Sequence, residues 1–495
     1  MLVVASGAVT VVSSLRWLRV AQREHYLAPA VTRFASRWWS SSALNVALAV
    51  IGVAGAIGVW INPGAGWLTL LVATVGPVGL GLKGRTSPLV WTSRLRRLAA
   101  ALAVCSMLLF GVSAVSGEPG WIVAAVLLLP ALVDAALIPL TPIERLLAEK
   151  WVAQARSRLA ASGARVVAVT GSYGKTTTKG YIGHLLAGRF QTALSPASFN
   201  NRMGLARAIN EQLGPGVDVF VAEMGTYSRG EIAALCDFVP PDISVITAIG
   251  PVHLERFGTV NAIVAAKREI LDKASVAVVN IDHPLLARVA DEEEGTRQVI
   301  RVSDRAVDAD VSVVDGVLRV GGMEIGVVGS NVFPVNLAAA VAAATALGVS
   351  PTDISLRLGD LPAAAHRLQE RTSENGVLIL DDTYNSNPAG AAIALKALAA
   401  VPGGGKRVVV TPGMVELGSS QDRENRDFAR AAAAFSSDLL VVGRTNRSVL
   451  LEGAWEGAAT VTVVDSLTEA VQWVRSHLGA GDAVLYENDL PDHYP

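Results

Sequence analysis

Residues 164–179 read Ala-Arg-Val-Val-Ala-Val-Thr-Gly-Ser-Tyr-Gly-Lys-Thr-Thr-Thr-Lys, and this stretch constrains the fold more than any other. The β-branched run 166–170 predicts a strand, two glycines force a turn, and a helix pattern follows from Thr176. Strand, glycine turn and helix in that order form the context of a phosphate-binding loop in an α/β sheet. Gly171 and Gly174 let the N–H groups of the loop, Ser172 and Tyr173 included, turn inward around phosphate oxygens. The helix N-terminus at Thr176 and Thr177 adds its dipole. Lys175 reaches for the β- and γ-phosphates, and the Thr176 hydroxyl is placed for Mg²⁺. The first glycine of the general pattern is replaced by Val169, and a mere turn is the plain alternative.

A second constraint lies upstream. Four apolar runs, 43–62, 66–82, 98–115 and 120–140, are each near the roughly 20 residues that a helix needs to cross a bilayer. A fifth, 2–14, is shorter, and it lacks a signal-peptide cleavage pattern. Buried helices of a large core are the alternative, but almost no charge interrupts the four. Arg16, Arg19, Arg23, Arg33 and Arg37 follow the run 2–14, and Lys83, Arg85, Arg94, Arg96 and Arg97 follow the run 66–82. The other two connections, 63–65 and 116–119, carry no Lys or Arg. The positive-inside rule then makes the basic loops cytoplasmic, and five spans leave everything after 141 in the cytoplasm of a multi-pass cell-membrane protein. Tryptophans 38, 39, 60, 67, 91 and 121 fall near the span ends, as an aromatic belt would.

Composition agrees with this division. The apolar fraction of 51% is high for a chain without membrane spans. Lys and Arg number 42 against 43 Asp and Glu, a net charge of −1, so overall charge argues against a nucleic-acid partner. Cys105 and Cys236 are too isolated for a zinc site, and a disulfide between them is not expected.

Further motifs follow the glycine loop in a fixed order. They are Ser198-Phe-Asn-Asn-Arg-Met-Gly204, Ala222-Glu-Met-Gly225 with Arg229-Gly-Glu-Ile232, Thr247-Ala-Ile-Gly-Pro-Val-His253, and Ala265-Ala-Lys-Arg-Glu269. Then come Asn336-Leu-Ala-Ala-Ala340, His366-Arg-Leu368, Asp381-Asp-Thr-Tyr-Asn-Ser-Asn-Pro388 and Gly413-Met-Val-Glu-Leu-Gly418. Together with residues 170–179 the series, over roughly 164–445, resembles the Mur ligases of bacterial cell-wall synthesis. The branch it resembles most adds D-alanyl-D-alanine to the muramyl tripeptide.

The resemblance implies an ATP-dependent amide ligase that activates a carboxylate as an acyl phosphate for attack by an amine. It implies ATP and Mg²⁺ as cofactors, with Thr176, Glu223, His253 and Lys267 on the metal side, Lys267 through a carbamylated amine. Asn336 falls on the adenine side, Arg367 near the γ-phosphate and Asp382 on the ribose, so Lys175, Lys267, His253 and Arg367 are the candidate catalytic residues. For His253 a structural histidine is the plain alternative, for Lys267 an ion pair with Glu269 or Asp272, and for Asp382 a polar turn. The implied fold is α/β: a P-loop central domain over 164–355 and a Rossmann-like C-terminal domain over 356–495 with a parallel sheet. An all-α transmembrane bundle (1–141) and a connecting helix (142–163) precede them.

Three features depart from that branch. The spans stand where the family has a uridine-nucleotide-binding domain. The tail Tyr486-Glu-Asn-Asp-Leu-Pro-Asp-His-Tyr-Pro495 replaces a Lys-Gly-Ser-Arg segment, and the histidine that usually precedes the adenine-side Asn is lost in 329–336. The expected partners are therefore a cell-envelope precursor, lipid-linked or membrane-proximal, an amino acid or dipeptide amine, and membrane lipids. An ATP-hydrolysing transporter or sensor is the competing function, and charged groups inside the spans would favour it. Apart from Asp134 the four runs hold essentially none.

Overall fold

Val166 and Ala168 point into one hydrophobic core and Val167 and Val169 into another, so the strand before the glycine loop is buried on both faces. That double burial is why the segment reads as a continuous apolar run, the mark of a central strand in a parallel sheet. The computed structural model describes residues 1–495 apart from 83–87, 197–198, 252–253, 330–331, 363–367, 384–385, 491–493 and 495, and the side chain of Glu255. Met1–Ala148 with Leu490–Pro495 forms one unit, and Glu149–Asp489 forms the other.

The second unit contains two sheets. The first is built from β1 (Arg165–Thr170), β2 (Thr192–Leu194), β3 (Val219–Glu223), β4 (Ile243–Ile246), β5 (Val276–Asn280), β6 (Gln298–Ser303), β7 (Val311–Val314), β8 (Val317–Val320) and β9 (Met323–Val327). Its order is β2-β3-β1-β4-β5-β6-β7-β8-β9. Strands β2 to β7 pair in parallel with one another and with β1, whereas β7, β8 and β9 form an antiparallel meander. After β3 the chain returns to the far side of β1, so the strand order switches direction between β1 and β4. The crevice at the carboxyl end of such a switch is where open α/β sheets bind ligands. The helix Pro334–Ala346 crosses one face with Leu337 to Ala344 all buried. Its alanines keep the helix thin enough to lie against both the sheet and the helix Lys175–Leu186.

The second sheet holds β10 (Gln369–Thr372), β11 (Leu378–Asp382), β12 (Arg407–Thr411), β13 (Asp438–Val442), β14 (Thr460–Val464) and β15 (Ala483–Glu487), ordered β10-β11-β15-β12-β13-β14. The expected parallel sheet holds for β11 to β15, and the sheet as a whole is mixed because β10 runs antiparallel to β11. Strand β10, whose four residues are all exposed, carries no apolar pattern by which sequence could reveal it. Along β12, Val408 and Val410 face one core and Val409 the other.

The first unit is helical: α1 (Leu2–Arg23), α2 (Ala30–Trp39), α3 (Ala43–Gly58), α4 (Gly66–Val75), α5 (Ser93–Ser116), α6 (Gly120–Leu127) and α7 (Leu129–Ser162), which continues into the second unit. Trp17, Leu18, Val31, Phe34, Leu95, Leu98, Leu102, Leu129 and Val133 form its main core. The expected bundle of four to five spans is not confirmed. Among the described residues, α1 and α5 alone are long and apolar enough to cross a membrane, or up to four spans if the bent pairs α2–α3 and α6–α7 each count as one. The run 66–82 yields only the ten-residue helix α4. The run 2–14, expected to be marginal, continues to Arg23 because Arg16 and Arg19 are buried within α1 rather than placed in a loop.

Candidate active site

The site grows from the carboxyl ends of β1 and β3, where Val169 and Glu223 lie side by side in register. Side chains alternate along a strand, so Glu223 shares a face with Val219 and Val221, which pack in the same core as Tyr181 and Ile182 of the helix Lys175–Leu186. Thr176 and Lys179 lie three residues apart on that helix, hence on one face. Both reach Glu223: the Thr176 hydroxyl donates to its Oε2 at 2.9 Å and the Lys179 ammonium at 3.0 Å. Asn200 donates to Oε1 at 3.3 Å, and Ser195 Oγ accepts from the Glu223 backbone N–H at 3.0 Å. Burial alone would raise the Glu223 pKa, but Lys179, Lys175 and the two hydrogen bonds outweigh it and hold the carboxyl below its ordinary range.

Gly174 caps the helix with φ +79, a left-handed conformation. A Cβ there would strike the side-chain amide of Asn336, which is buried in the first turn of the helix Pro334–Ala346. At Gly171 a Cβ would strike the hydroxyl of Thr247, which donates to the carbonyls of Thr170, at 3.2 Å, and Tyr173. The Ser172 N–H donates to Ala248 O at 2.7 Å. The loop is thus braced by the strand end after β4 on one side and by Asn336 on the other. Lys175 folds back, its Nζ donating to Gly171 O at 2.7 Å, and Thr177 is buried behind it. The Tyr173 ring fills the space that a side chain on Gly250 would need. Its hydroxyl is buried without a hydrogen-bond partner among the described residues, and burial with the nearby Glu424 carboxylate pushes its pKa up.

Lys267 lies near the end of the helix Val260–Arg268 and is only 5% exposed. The ion pair with Glu269 does not form. The Glu269 carboxylate instead accepts from the N–H groups of Gly230 and Ala233, at 2.7 and 3.1 Å, at the start of the helix Glu231–Phe238. No acidic partner of Lys267 is found among the described residues, and burial first, then the Lys175 charge, lowers its pKa well below the ordinary value.

On the second sheet Asp381 and Asp382 end β11 and are buried. Asp382 Oδ1 accepts from the Leu368 N–H at 3.1 Å, which ties the strand end to the segment entering β10. The tail that departs from the branch pattern begins inside β15, where Tyr486 pairs with Asp381 and Glu487 with Asp382. His253 and Arg367 fall outside the described residues. Lys179, Asn200, Ser195 and Thr247 were not singled out as site residues in the sequence. Lys179 was legible there, since it shares a helix face with Thr176.

Residues 169–344 match the Mur ligase middle domain and residues 366–486 the glutamate ligase domain of Mur ligases. The chain is 30% identical over 380 residues to the UDP-N-acetylmuramoyl-tripeptide–D-alanyl-D-alanine ligase of Mycobacterium leprae, covering 66% of this chain and 72% of that one. Among solved structures it is similar to MurF from Acinetobacter baumannii, with a TM-score of 0.59, 27% identity and coverage of 69% and 77%. It is also similar to MurF from Thermotoga maritima in complex with ADP, with a TM-score of 0.58, 25% identity and coverage of 69% and 80%. With its glycine loop, its braced Glu223 and its two α/β sheets, the chain belongs to the Mur ligase family of ATP-dependent peptide ligases.

Proposed function

We propose that the protein is a membrane-anchored ligase of peptidoglycan-precursor synthesis that joins a precursor carboxylate to the amine of an amino acid or dipeptide. The observation that carries this reading is the Thr176–Glu223 pair beside Lys175, at the carboxyl edge of the first sheet. A carboxylate oxygen attacks the γ-phosphorus of ATP and ADP leaves. The amine nitrogen then attacks the acyl carbon, phosphate leaves with the C–O electron pair, and the nitrogen loses a proton. Lys175 balances charge on the β- and γ-phosphates, the loop N–H groups orient them, and Asn336 and Asp382 take the adenine side and the ribose.

Mg²⁺ fits the donors present, because this ion takes one or two carboxylates and completes its shell with phosphates and water. Thr176 and Glu223 supply one hydroxyl and one carboxylate, with His253 as a further donor. Bound there, the ion neutralises charge developing on the phosphates. Arg367 is assigned to the γ-phosphate. The burial of Lys267 without an acidic partner among the described residues supports a carbamylated lysine: a neutral Nζ attacks the carbon of CO₂, loses a proton and becomes an anionic oxygen donor.

The division proposed is a membrane part over 1–141, a connecting helix over 142–163, a nucleotide domain over 164–355 and a C-terminal ligase domain over 356–495, the last two cytoplasmic. The lengths of α1 and α5 support anchoring. In the first unit two buried charges serve as helix caps. Arg16 donates to the carbonyls of Ala73, Thr74 and Gly76 at the end of α4, and Asp134 accepts from the N–H groups of Val31 and Thr32 at the start of α2. Charges used in this way weigh against the transporter reading. The basic residues of the first unit favour an acceptor presented at the headgroup level, such as a lipid-diphosphate-linked peptide, over a free uridine nucleotide. The test is ATP turnover by the full-length protein with each precursor type and candidate amines, read by mass spectrometry for a new amide.

A further inference from the structure

Lys179 and Glu223 form an ion pair in which both side chains are at least 95% buried, and the reaction chemistry assigns no task to Lys179. A lone carboxylate at this depth would be costly, and a cation in good geometry offsets most of that cost. The geometry is good: Oε2 accepts from Lys179 at 3.0 Å and from Thr176 at 2.9 Å, and Oε1 from Asn200. The two side chains read as metal donors are therefore bonded to each other, and a cation belonging to the protein sits on the same oxygen.

The charge around this oxygen points further. Lys179 cancels Glu223, and Lys175 acts on both Glu223 and Lys267. Lys179 and Lys175 against Glu223 leave a sum of +1, or of zero once Lys267 is carbamylated, so no net negative charge draws a divalent ion before a nucleotide arrives. A triphosphate makes the sum negative. We propose that Lys179 stands in for part of the metal's charge while the nucleotide site is empty, holding Glu223 in place and delaying divalent-metal binding until phosphates join the donor set. This rests on reading Glu223 as a metal donor.

The experiment is electron paramagnetic resonance titration of full-length protein in detergent with Mn²⁺, alone and with a non-hydrolysable ATP analogue. Wild-type protein binds Mn²⁺ at least about a hundredfold more weakly without the analogue, since one triphosphate changes the local charge by several units. In Lys179→Met, nucleotide-free Mn²⁺ affinity rises about tenfold or more, while Lys179→Arg behaves as wild type. Nucleotide-free binding by wild-type protein as tight as with the analogue overturns the proposal without any variant. So does a Lys179→Met affinity that stays level or falls while Glu223→Gln weakens binding in the analogue complex. If Glu223→Gln leaves binding in that complex unchanged, the metal-donor reading fails and the proposal falls with it.

Discussion

Gly174 faces Asn336 so closely that any Cβ at position 174 would run into the Asn336 amide, although 162 residues separate the two in sequence. The turn that opens the helix Lys175–Leu186 is held from the side by the Ala-rich helix Pro334–Ala346, so the loop shape and the position of Asn336, proposed for the adenine side, are set by one contact. Gly174→Ala should lower affinity for a fluorescent ATP analogue at least about tenfold, since the left-handed backbone alone costs about 1–2 kcal/mol. Gly180→Ala is the control. Gly180 lies in the same helix with nothing near its Cβ position, so alanine should raise stability by about 0.5–1 kcal/mol in denaturant melts.

Lys175→Ala should abolish ATP-dependent amide formation, a loss of at least about a hundredfold in kcat, while the melting temperature changes little. The Lys175 ammonium is half-buried and donates to Gly171 O of its own loop, so no apolar core depends on it. Unchanged turnover would remove the loop from the chemistry.

Lys267→Ala should be nearly inactive and partly rescued by bicarbonate or short carboxylates. Unmodified Lys267 has a folded pKa below the 10.5 of an unfolded lysine, so the unfolded state binds more protons and stability rises with pH until that value is passed. In CO₂-free buffer the wild-type melting temperature should gain more between pH 7 and pH 9.5 than that of Lys267→Met. Equal gains would show that the amine is not confined as described.

Asp304 carries the opposite sign. Burial, then the charge and hydrogen bonding of Asp282, push its pKa up to about 6 from 3.8. The folded state therefore holds its proton longer than the unfolded state, and this favourable contribution is lost as pH rises through about 6. Asp304→Asn should raise the melting temperature at pH 7.5 and leave it nearly unchanged at pH 4. The reverse order would contradict the assignment.

The legible parts of this molecule share a physical character. The strand β1 and the glycine loop could be read because burial on both faces and a forced turn leave few residue choices. Strands β12, β13 and β15, buried on both faces, have the same character. Strand β10, wholly exposed, and the hairpin β8–β9, with its half-buried and exposed residues, leave no comparable pattern. The number of long helices in the helical unit was not legible, because apolar runs report composition, whereas turns at Gly76 and between α6 and α7 decide helix length. Within the candidate site, Glu223 and Lys267 were singled out through their motifs. What Glu223 touches depends on the facing of β3 toward the helix Lys175–Leu186, which no local pattern prints.

The account stands on ATP-driven amide formation at this site. Full-length protein, incubated with ATP, Mg²⁺, a lipid-linked or uridine-linked precursor peptide and candidate amines, should give a product heavier by the amine less water, with one ADP and one phosphate released per amide. Lys175→Ala should give none. Release of ADP and phosphate without a new amide, across both precursor types and all amines tried, would contradict the ligase reading.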